Sequence, residues 1–168
     1  MQMAAQMRKA ALALHICSAV GWIGAAAAYL ALAVAAQLSR QASTVYGAWR
    51  GMELIGWAVI VPLGCLAFLT GLLMSLGTSW GLVRHYWVLI ALVLTTLALG
   101  VLLLHMPTVS QTTELARAMT DAEVATLGGD VVHPGAGIGV LVVVAVLNIF
   151  KPRGLTGFGK RKRRNQAL

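Results

Sequence analysis

The sequence has 168 residues, of which 59% are hydrophobic and 11% are charged, and its formal net charge is +8. So large an apolar fraction exceeds what the core of one soluble domain of this size needs, which excludes an ordinary water-soluble protein. Both cysteines, Cys17 and Cys65, lie within apolar segments, so a disulfide-stabilised secreted scaffold is not expected either. The composition predicts a single membrane domain.

Four segments contain the roughly 20 apolar residues that a helix needs to cross about 30 Å of hydrocarbon. The first follows Arg8 and Lys9 and begins like a signal peptide, but it stays apolar for long enough to span, so we expect a retained anchor. Because lipid offers the backbone no hydrogen-bond partners, all four segments should be helical. The predicted spans are residues 10–38, 52–76, 85–106 and 131–150. The predicted fold class is therefore all-α, a four-transmembrane-helix bundle over residues 1–154.

The basic residues predict the orientation of this bundle. Most of the 13 lysines and arginines fall on one side if the N-terminus and the C-terminus are both cytoplasmic. The long connection 108–130 then lies outside. In it, Thr120 and Glu123 have capping-box spacing and Gly128–Gly129 would end a helix, which predicts a short surface helix in the outer loop between spans 3 and 4. That helix is interpreted as a solvated connector or as a lid.

Residues 155–168 form a predicted polybasic cytoplasmic tail. The tail follows directly after the fourth span, so its positive charges should face the negatively charged headgroups of the inner leaflet. We therefore predict contact with anionic lipid and topology fixing rather than nucleic-acid binding, with recruitment of a partner as the alternative. The predicted lipid-binding residues are Lys160, Arg161, Lys162, Arg163 and Arg164.

The four histidines are the best candidates for chemistry, because ionisable groups within spans are costly and often functional. His15 in span 1 and His85 at the start of span 3 lie on the cytoplasmic side, whereas His105 and His133 lie on the outer side. His85 and His105 are 20 residues apart, or about 30 Å of helix, so these two cannot share a ligand. The positions predict an inner pair and an outer pair.

Two histidines on facing helices can be the axial ligands of a haem, or they can hold copper or zinc. The inner pair, His15 and His85, is the predicted site for haem b or a metal, and His105 with His133 is a possible second cofactor site. The alternative is that His85 and His133 face headgroups or cap helix ends, and that His105 extends toward the membrane surface. Arg50, three residues before Glu53, is predicted either to form an interfacial ion pair or to bind an anionic group such as a haem propionate.

Two stretches of the sequence carry a resemblance. The run from Leu14 to Gly24 contains a histidine followed seven residues later by a tryptophan and then a glycine. It resembles the first-helix motif of small four-helix membrane proteins related to the copper-resistance D domain and the haem-b-binding membrane protoporphyrinogen oxidase. The stretch from Trp80 to Ile90 and the ending 151–159 are similar to an uncharacterised bacterial integral membrane family in that neighbourhood. The resemblance covers nearly the whole chain.

This resemblance implies a four-helix membrane fold in the bacterial inner membrane, with His15 at the position of an iron ligand. Where the protoporphyrinogen oxidases would have a lysine in the third helix, this chain has Ala91. The departure argues against that enzyme activity, so an enzyme is not the expected reading. His85 then remains as the substitute ligand on the same helix.

Three functions stay open at this stage. The first is a membrane protein that binds haem or a metal for electron transfer, redox sensing or cofactor handling. The second is a cofactor-free accessory or scaffold subunit that packs against other membrane proteins or forms a homodimer through its glycine-rich faces. A small transporter is a weaker third, because no charged groups lie at mid-membrane. The sequence has no CxxC, Walker A or HExxH motif, which disfavours metallohydrolases of the HExxH type and nucleotide-dependent enzymes.

Overall fold

A computed structural model describes residues 4–77 and 81–165 of the protein. Trp80, the first residue of one stretch quoted above, lies outside these residues, and so do the side chains of Lys162, Arg163 and Arg164. The described chain is 85% helix and has no strands. Its helices are α1 (Ala5–Leu38), α2 (Ala42–Ile55), a π-helical segment (Gly56–Ile60), α3 (Val61–Gly77), α4 (Tyr86–Ala118), α5 (Asp121–Val124), α6 (Val132–Phe150) and α7 (Gly157–Asn165).

Four helices are long and apolar enough to cross a membrane, as the sequence predicts. They are α1, the continuous helix formed by α2, the π-helical segment and α3, then α4, and finally α6. Large apolar side chains cover the outside of the bundle, and Leu104 and Phe150 are more than 70% exposed. Such a surface suits lipid, because lipid contact removes the free-energy cost that water would impose on it.

Two helices extend far beyond the predicted spans, and α1 also begins at Ala5 rather than at residue 10. The second span was expected to begin at residue 52 and the third to end at residue 106, but α2 begins at Ala42 and α4 continues through Pro107 to Ala118. Both extensions carry a buried stripe at helical spacing, which packs the two helices against each other. The buried residues of the stripes are Val45, Ala48, Trp49, Met52, Val109, Thr113 and Ala116. Part of the expected connection 108–130 is therefore helix.

The two ends of the bundle differ in how tightly they pack. We call the end that carries residues 39–41 and 119–131 the loop end, and the end where α1 begins and α6 finishes the termini end. At the loop end the small residues Ala33 and Ala36 of α1 are fully buried and let the helices approach closely. The 19-residue α6 is about 28 Å long, whereas the 33-residue α4 is about 50 Å long. Thus α6 begins beside the middle of α4, where the packed extension of α4 starts.

The chain after α6 folds back onto the connection before α4. Leu155 forms an isolated bridge with His85, and the Thr156 N–H donates to the Arg84 carbonyl oxygen over 3.1 Å. The Thr156 hydroxyl also donates to the Val83 carbonyl oxygen over 2.5 Å. These bonds fix the start of the basic helix α7 at the termini end.

The single turn α5 is held by Thr120 and Glu123. The Thr120 N–H and the Thr120 hydroxyl each donate to Glu123 Oε2 over 2.8 Å. Because these bonds favour the carboxylate, they lower the pKa of Glu123 below its ordinary value. The contribution of this contact to α5 is therefore present above the ordinary pKa and is lost as the pH falls through the lowered one.

We expect a ¹³C NMR titration of the Glu123 carboxyl group to show a midpoint below the ordinary glutamate value, with the Thr120 amide shift moving in parallel. In a Thr120→Val variant, which lacks the hydroxyl donor, the midpoint should rise toward the ordinary value. A midpoint at the ordinary value in the unmodified protein, or no change in the variant, would show that the contact does not form.

Candidate metal centre

Three potential metal ligands converge at the loop end. His105 lies on α4, Asp130 lies in the loop just before α6, and His133 lies in the first turn of α6. The ligating atoms of these three side chains all lie within 4.8 Å of one another. No other cluster of three or more histidine, cysteine, aspartate or glutamate ligands occurs among residues 4–77 and 81–165. We call this cluster the His105–Asp130–His133 site.

Asp130 contacts both imidazoles. Its Oδ2 atom lies 2.7 Å from His105 Nε2 and 2.9 Å from His133 Nδ1. The two imidazole rings lie side by side, with centroids 3.9 Å apart and planes inclined by 16°. The side chains of His105 and Asp130 are 15% and 17% exposed, whereas that of His133 is 50% exposed. The site is therefore enclosed on the α4 side and open to solvent or headgroups on the α6 side.

The loop places Asp130 through contacts with α1 and α2. Gly128 has a left-handed backbone (φ +63°), and its carbonyl oxygen accepts a 2.9 Å hydrogen bond from Trp49 Nε1. The Gly129 N–H donates to Gln37 Oε1 over 2.9 Å. A Cβ atom on Gly129 would lie only 1.9 Å from the Ala33 carbonyl oxygen, so the backbone approaches α1 as closely as glycine allows. These contacts fix the residue just before Asp130.

Asp130 also lies at the N-terminus of α6. Its Oδ1 atom is 3.4 Å from the backbone nitrogen of His133, in the spacing of a weak N-terminal cap. A carboxylate is favourable there because the first turn of a helix has unpaired N–H groups and a positive dipole end. Local helix chemistry thus explains why an aspartate stands here, but it does not explain the approach of His105 from another helix.

Two polar atoms near the site have no hydrogen-bond partner in the described chain. His105 Nε2 is buried, and although it is close to Asp130 Oδ2, its N–H direction is not aligned with that oxygen. The Tyr29 hydroxyl is also buried and unpartnered, and the charge of Asp130 acts on it electrostatically. Buried unsatisfied polar atoms are uncommon in folded proteins and call for an explanation such as an ion or a ligand.

The donor separations suit a small cation after a slight expansion. Tetrahedral zinc, with bonds of about 2.0–2.1 Å to nitrogen and oxygen, separates its ligand atoms by about 3.3 Å. The observed contacts between Asp130 and the two histidines are 2.7–3.0 Å. Binding an ion would widen the contacts of Asp130 by about half an ångström. It would also require one imidazole to rotate out of the stacked arrangement, because two stacked rings cannot both direct an in-plane nitrogen lone pair at one ion.

The outer histidines come together as the sequence suggested, and the third ligand was missed. His105 and His133 were predicted as a possible pair, but Asp130 was not among the predicted site residues. The signal that could have found it is local: an aspartate three residues before a histidine, at the start of a helix, directs both side chains to the same point.

The inner histidines have different surroundings. His15 Nδ1 lies 3.0 Å from the Ala67 carbonyl oxygen and 3.1 Å from Thr70 Oγ1, both on α3. His85 precedes α4, where it forms the bridge with Leu155 and its ring lies 6.4 Å from that of Trp87. A cavity of about 430 Å³ adjoins His15, and His15 alone of the four histidines lines it. A cofactor shared by His15 and His85 stays a prediction.

Of the remaining predicted site residues, Arg50, Lys160 and Arg161 lie on the surface. Arg50 Nη1 is 2.5 Å from Glu53 Oε2, so the ion pair forms, while binding of an anionic group by Arg50 stays a prediction. Lys160 and Arg161 are exposed on α7, in keeping with the charged surface expected of the tail.

No protein family, curated protein or solved structure matches the chain, so only the residues of the site bear on its function.

Proposed function

We propose that this chain is an integral membrane protein of the bacterial inner membrane that binds one divalent transition-metal ion, of the zinc class, at the His105–Asp130–His133 site. The observation that carries the proposal is the convergence of three ligating side chains from α4, the loop and α6 within 4.8 Å. Asp130 and His133 are close in the sequence, whereas His105 reaches them only through the packing of α4 against α6.

The chemistry of the three ligands favours a transition metal over calcium or magnesium. Imidazole nitrogen binds zinc, copper, iron and nickel well, whereas calcium and magnesium prefer all-oxygen sites. One carboxylate with two neutral imidazoles leaves a single positive charge on a bound divalent ion, which limits the cost of holding it near the membrane. Three protein ligands leave one open position, as in zinc sites that keep a water molecule or accept a substrate.

The topology proposed from the sequence places this site outside the cytoplasm. Basic residues concentrate at the termini end, among them Arg8, Lys9, Arg84 and Lys151. By the positive-inside rule that end is cytoplasmic and the loop end faces the periplasm. The basic helix α7 would then contact the anionic inner leaflet, with Lys160 and Arg161 among its exposed cations. The bound metal ion would then be accessible from the periplasmic side.

A competing explanation is that the three residues form only a hydrogen-bonded cap on α6. In that case the protein is a cofactor-free scaffold subunit or, less favoured, a small transporter, and the cluster has no affinity for metals. The buried His105 nitrogen without an aligned partner argues against a cap optimised for hydrogen bonding. Metal titration distinguishes a metal site from a hydrogen-bonded cap.

The experiment is a cobalt titration of detergent-purified, chelator-treated protein, followed by zinc competition. We expect one equivalent of Co²⁺ to give visible absorption bands of a four- or five-coordinate site, which one equivalent of Zn²⁺ abolishes. His105→Gln and His133→Gln should each weaken binding by about 100-fold or more, since each removes a direct ligand. Binding should also weaken as the pH falls, because protons compete for the imidazole nitrogens.

The matched control is His85→Gln, the same substitution in a histidine at the opposite end of the bundle. Its cobalt spectrum and zinc affinity should equal those of the unmodified protein. A protein that shows no cobalt bands, or bands that depend on His85 and not on His105 and His133, contradicts the proposal and favours the scaffold.

A further inference from the structure

A second candidate site lies in the other half of the bundle. The cavity of about 430 Å³ is lined by residues from α1, α3, α4 and α6, among them His15, Trp22, Phe68, Trp87 and Leu141. Its volume falls within the range of small-molecule sites, and its walls are mainly aromatic and aliphatic, as such sites usually are. Ser75, Thr95, Asn148 and Lys151 are its other polar lining residues. It surrounds one histidine, within the part of the bundle that is suited to lie in the membrane.

The hydrogen bonds of His15 define what the side chain can offer a ligand. The Ala67 carbonyl oxygen can only accept, so His15 Nδ1 carries the proton and donates to it over 3.0 Å. The Thr70 hydroxyl donates to the Leu66 carbonyl oxygen over 2.7 Å, so it also receives from His15 rather than giving. In the neutral ring, Nε2 is then an acceptor.

His15 Nε2 has no hydrogen-bond partner among the described residues. An acceptor beside an apolar cavity calls for a ligand that donates a hydrogen bond and is otherwise apolar. The same residue contacts α3 closely, since a Cβ atom on Gly71 would lie 3.3 Å from His15 Cε1. The imidazole is thus held by one edge while its second nitrogen stays available, the arrangement expected of a binding residue rather than of a satisfied core histidine.

We propose that this cavity binds the headgroup of a lipid-soluble quinol, whose hydroxyl group donates to His15 Nε2 and whose ring contacts the aromatic wall that includes Trp22 and Trp87. A quinol meets each requirement, because it is a flat apolar ring with an O–H donor and it reaches the cavity through the bilayer. The oxidised quinone has only acceptors at the same positions, so it cannot form the hydrogen bond to His15 Nε2. This proposal is independent of the metal site at the loop end.

The test uses decylubiquinol and decylubiquinone under anaerobic conditions, with the full-length protein in detergent and tryptophan fluorescence as the readout. We expect saturable quenching by the quinol and about 10-fold or more weaker binding of the quinone, the discrimination expected when one buried hydrogen bond is lost. His15→Phe should weaken quinol binding by a similar factor and remove the preference over the quinone. Leu104→Phe, which puts the same side chain on the exposed outer surface of α4 away from the cavity, should leave both unchanged.

A second variant keeps His15 and fills the space. Ala145 of α6 lines the cavity, so Ala145→Phe should abolish quinol binding whether or not His15→Phe folds. Equal affinity for quinol and quinone, or quinol binding that survives both variants, would overturn the proposal. It would also be overturned if the cavity takes haemin instead, seen as a Soret band that disappears in His15→Phe while decylubiquinol has no effect.

Discussion

Replacing Asp130 with asparagine should remove most of the zinc-dependent stabilisation of the protein. With free zinc at 100 times the dissociation constant, the native site should gain about 2.7 kcal/mol of stability against unfolding. For a domain of this size, that corresponds to a rise of about 5–10 °C in the thermal midpoint. The substituted side chain offers a neutral amide oxygen in place of a carboxylate, so we expect binding about 100-fold weaker. At the same zinc concentration, the midpoint should then rise by only about 1–2 °C.

The control for this substitution is Glu114→Gln, which makes the same carboxylate-to-amide change on the exposed face of α4. Glu114 pairs with Arg117 over 3.1 Å and is 57% exposed, away from the three ligands. Its zinc-dependent shift should match that of the unmodified protein. If Asp130→Asn keeps the full shift while Glu114→Gln also keeps it, Asp130 is not a ligand.

Replacing Gly129 with alanine should damage both the fold and the metal site. The added methyl group would lie 1.9 Å from the Ala33 carbonyl oxygen and 2.9 Å from the Gln37 backbone nitrogen, and neither backbone atom can move without shifting α1. We expect a loss of about 1–3 kcal/mol in the free energy of unfolding. Because Asp130 follows directly, we also expect weaker zinc binding, measured by the same thermal shifts with and without zinc.

Gly135→Ala is the matched control, because a Cβ atom on Gly135 meets no other atom within 4 Å. This glycine lies in the first part of α6, where alanine is the better helix former, so stability should stay the same or rise slightly. Equal stability of the Gly129→Ala and Gly135→Ala variants would mean that the loop does not press against α1 as described.

The sequence was sufficient to predict the four spans, because the requirement for an apolar helix in lipid depends on composition and length alone. It was not sufficient to predict the residues at which the helices begin and end. The extension of α4 past Pro107 contains polar residues such as Thr113, so its sequence predicts a connection. In the structure this segment is helical, and α2 packs against it. Thr113 is fully buried, and its hydroxyl lies 3.4 Å from the Trp49 carbonyl oxygen of α2, which is a tertiary contact that no local pattern reveals.

The metal site, too, could be predicted only in part. His105 and His133 stand at the ends of successive predicted spans on one side of the membrane, which is why they were predicted as a pair. Asp130 joins them only because Gly128 and Gly129 press the loop onto α1, a backbone approach that depends on Ala33 and Gln37 far away in the sequence. The unpartnered Tyr29 hydroxyl could not be foreseen, since its environment is set by the packing of the whole loop end.

The most direct test of the central claim is X-ray absorption at the zinc edge of the purified protein loaded with one equivalent of zinc. The account predicts two imidazole ligands and additional oxygen at about 2.0–2.1 Å, and one imidazole fewer in His133→Gln. A spectrum without histidine scattering, or with sulfur at about 2.3 Å, would contradict the His105–Asp130–His133 site.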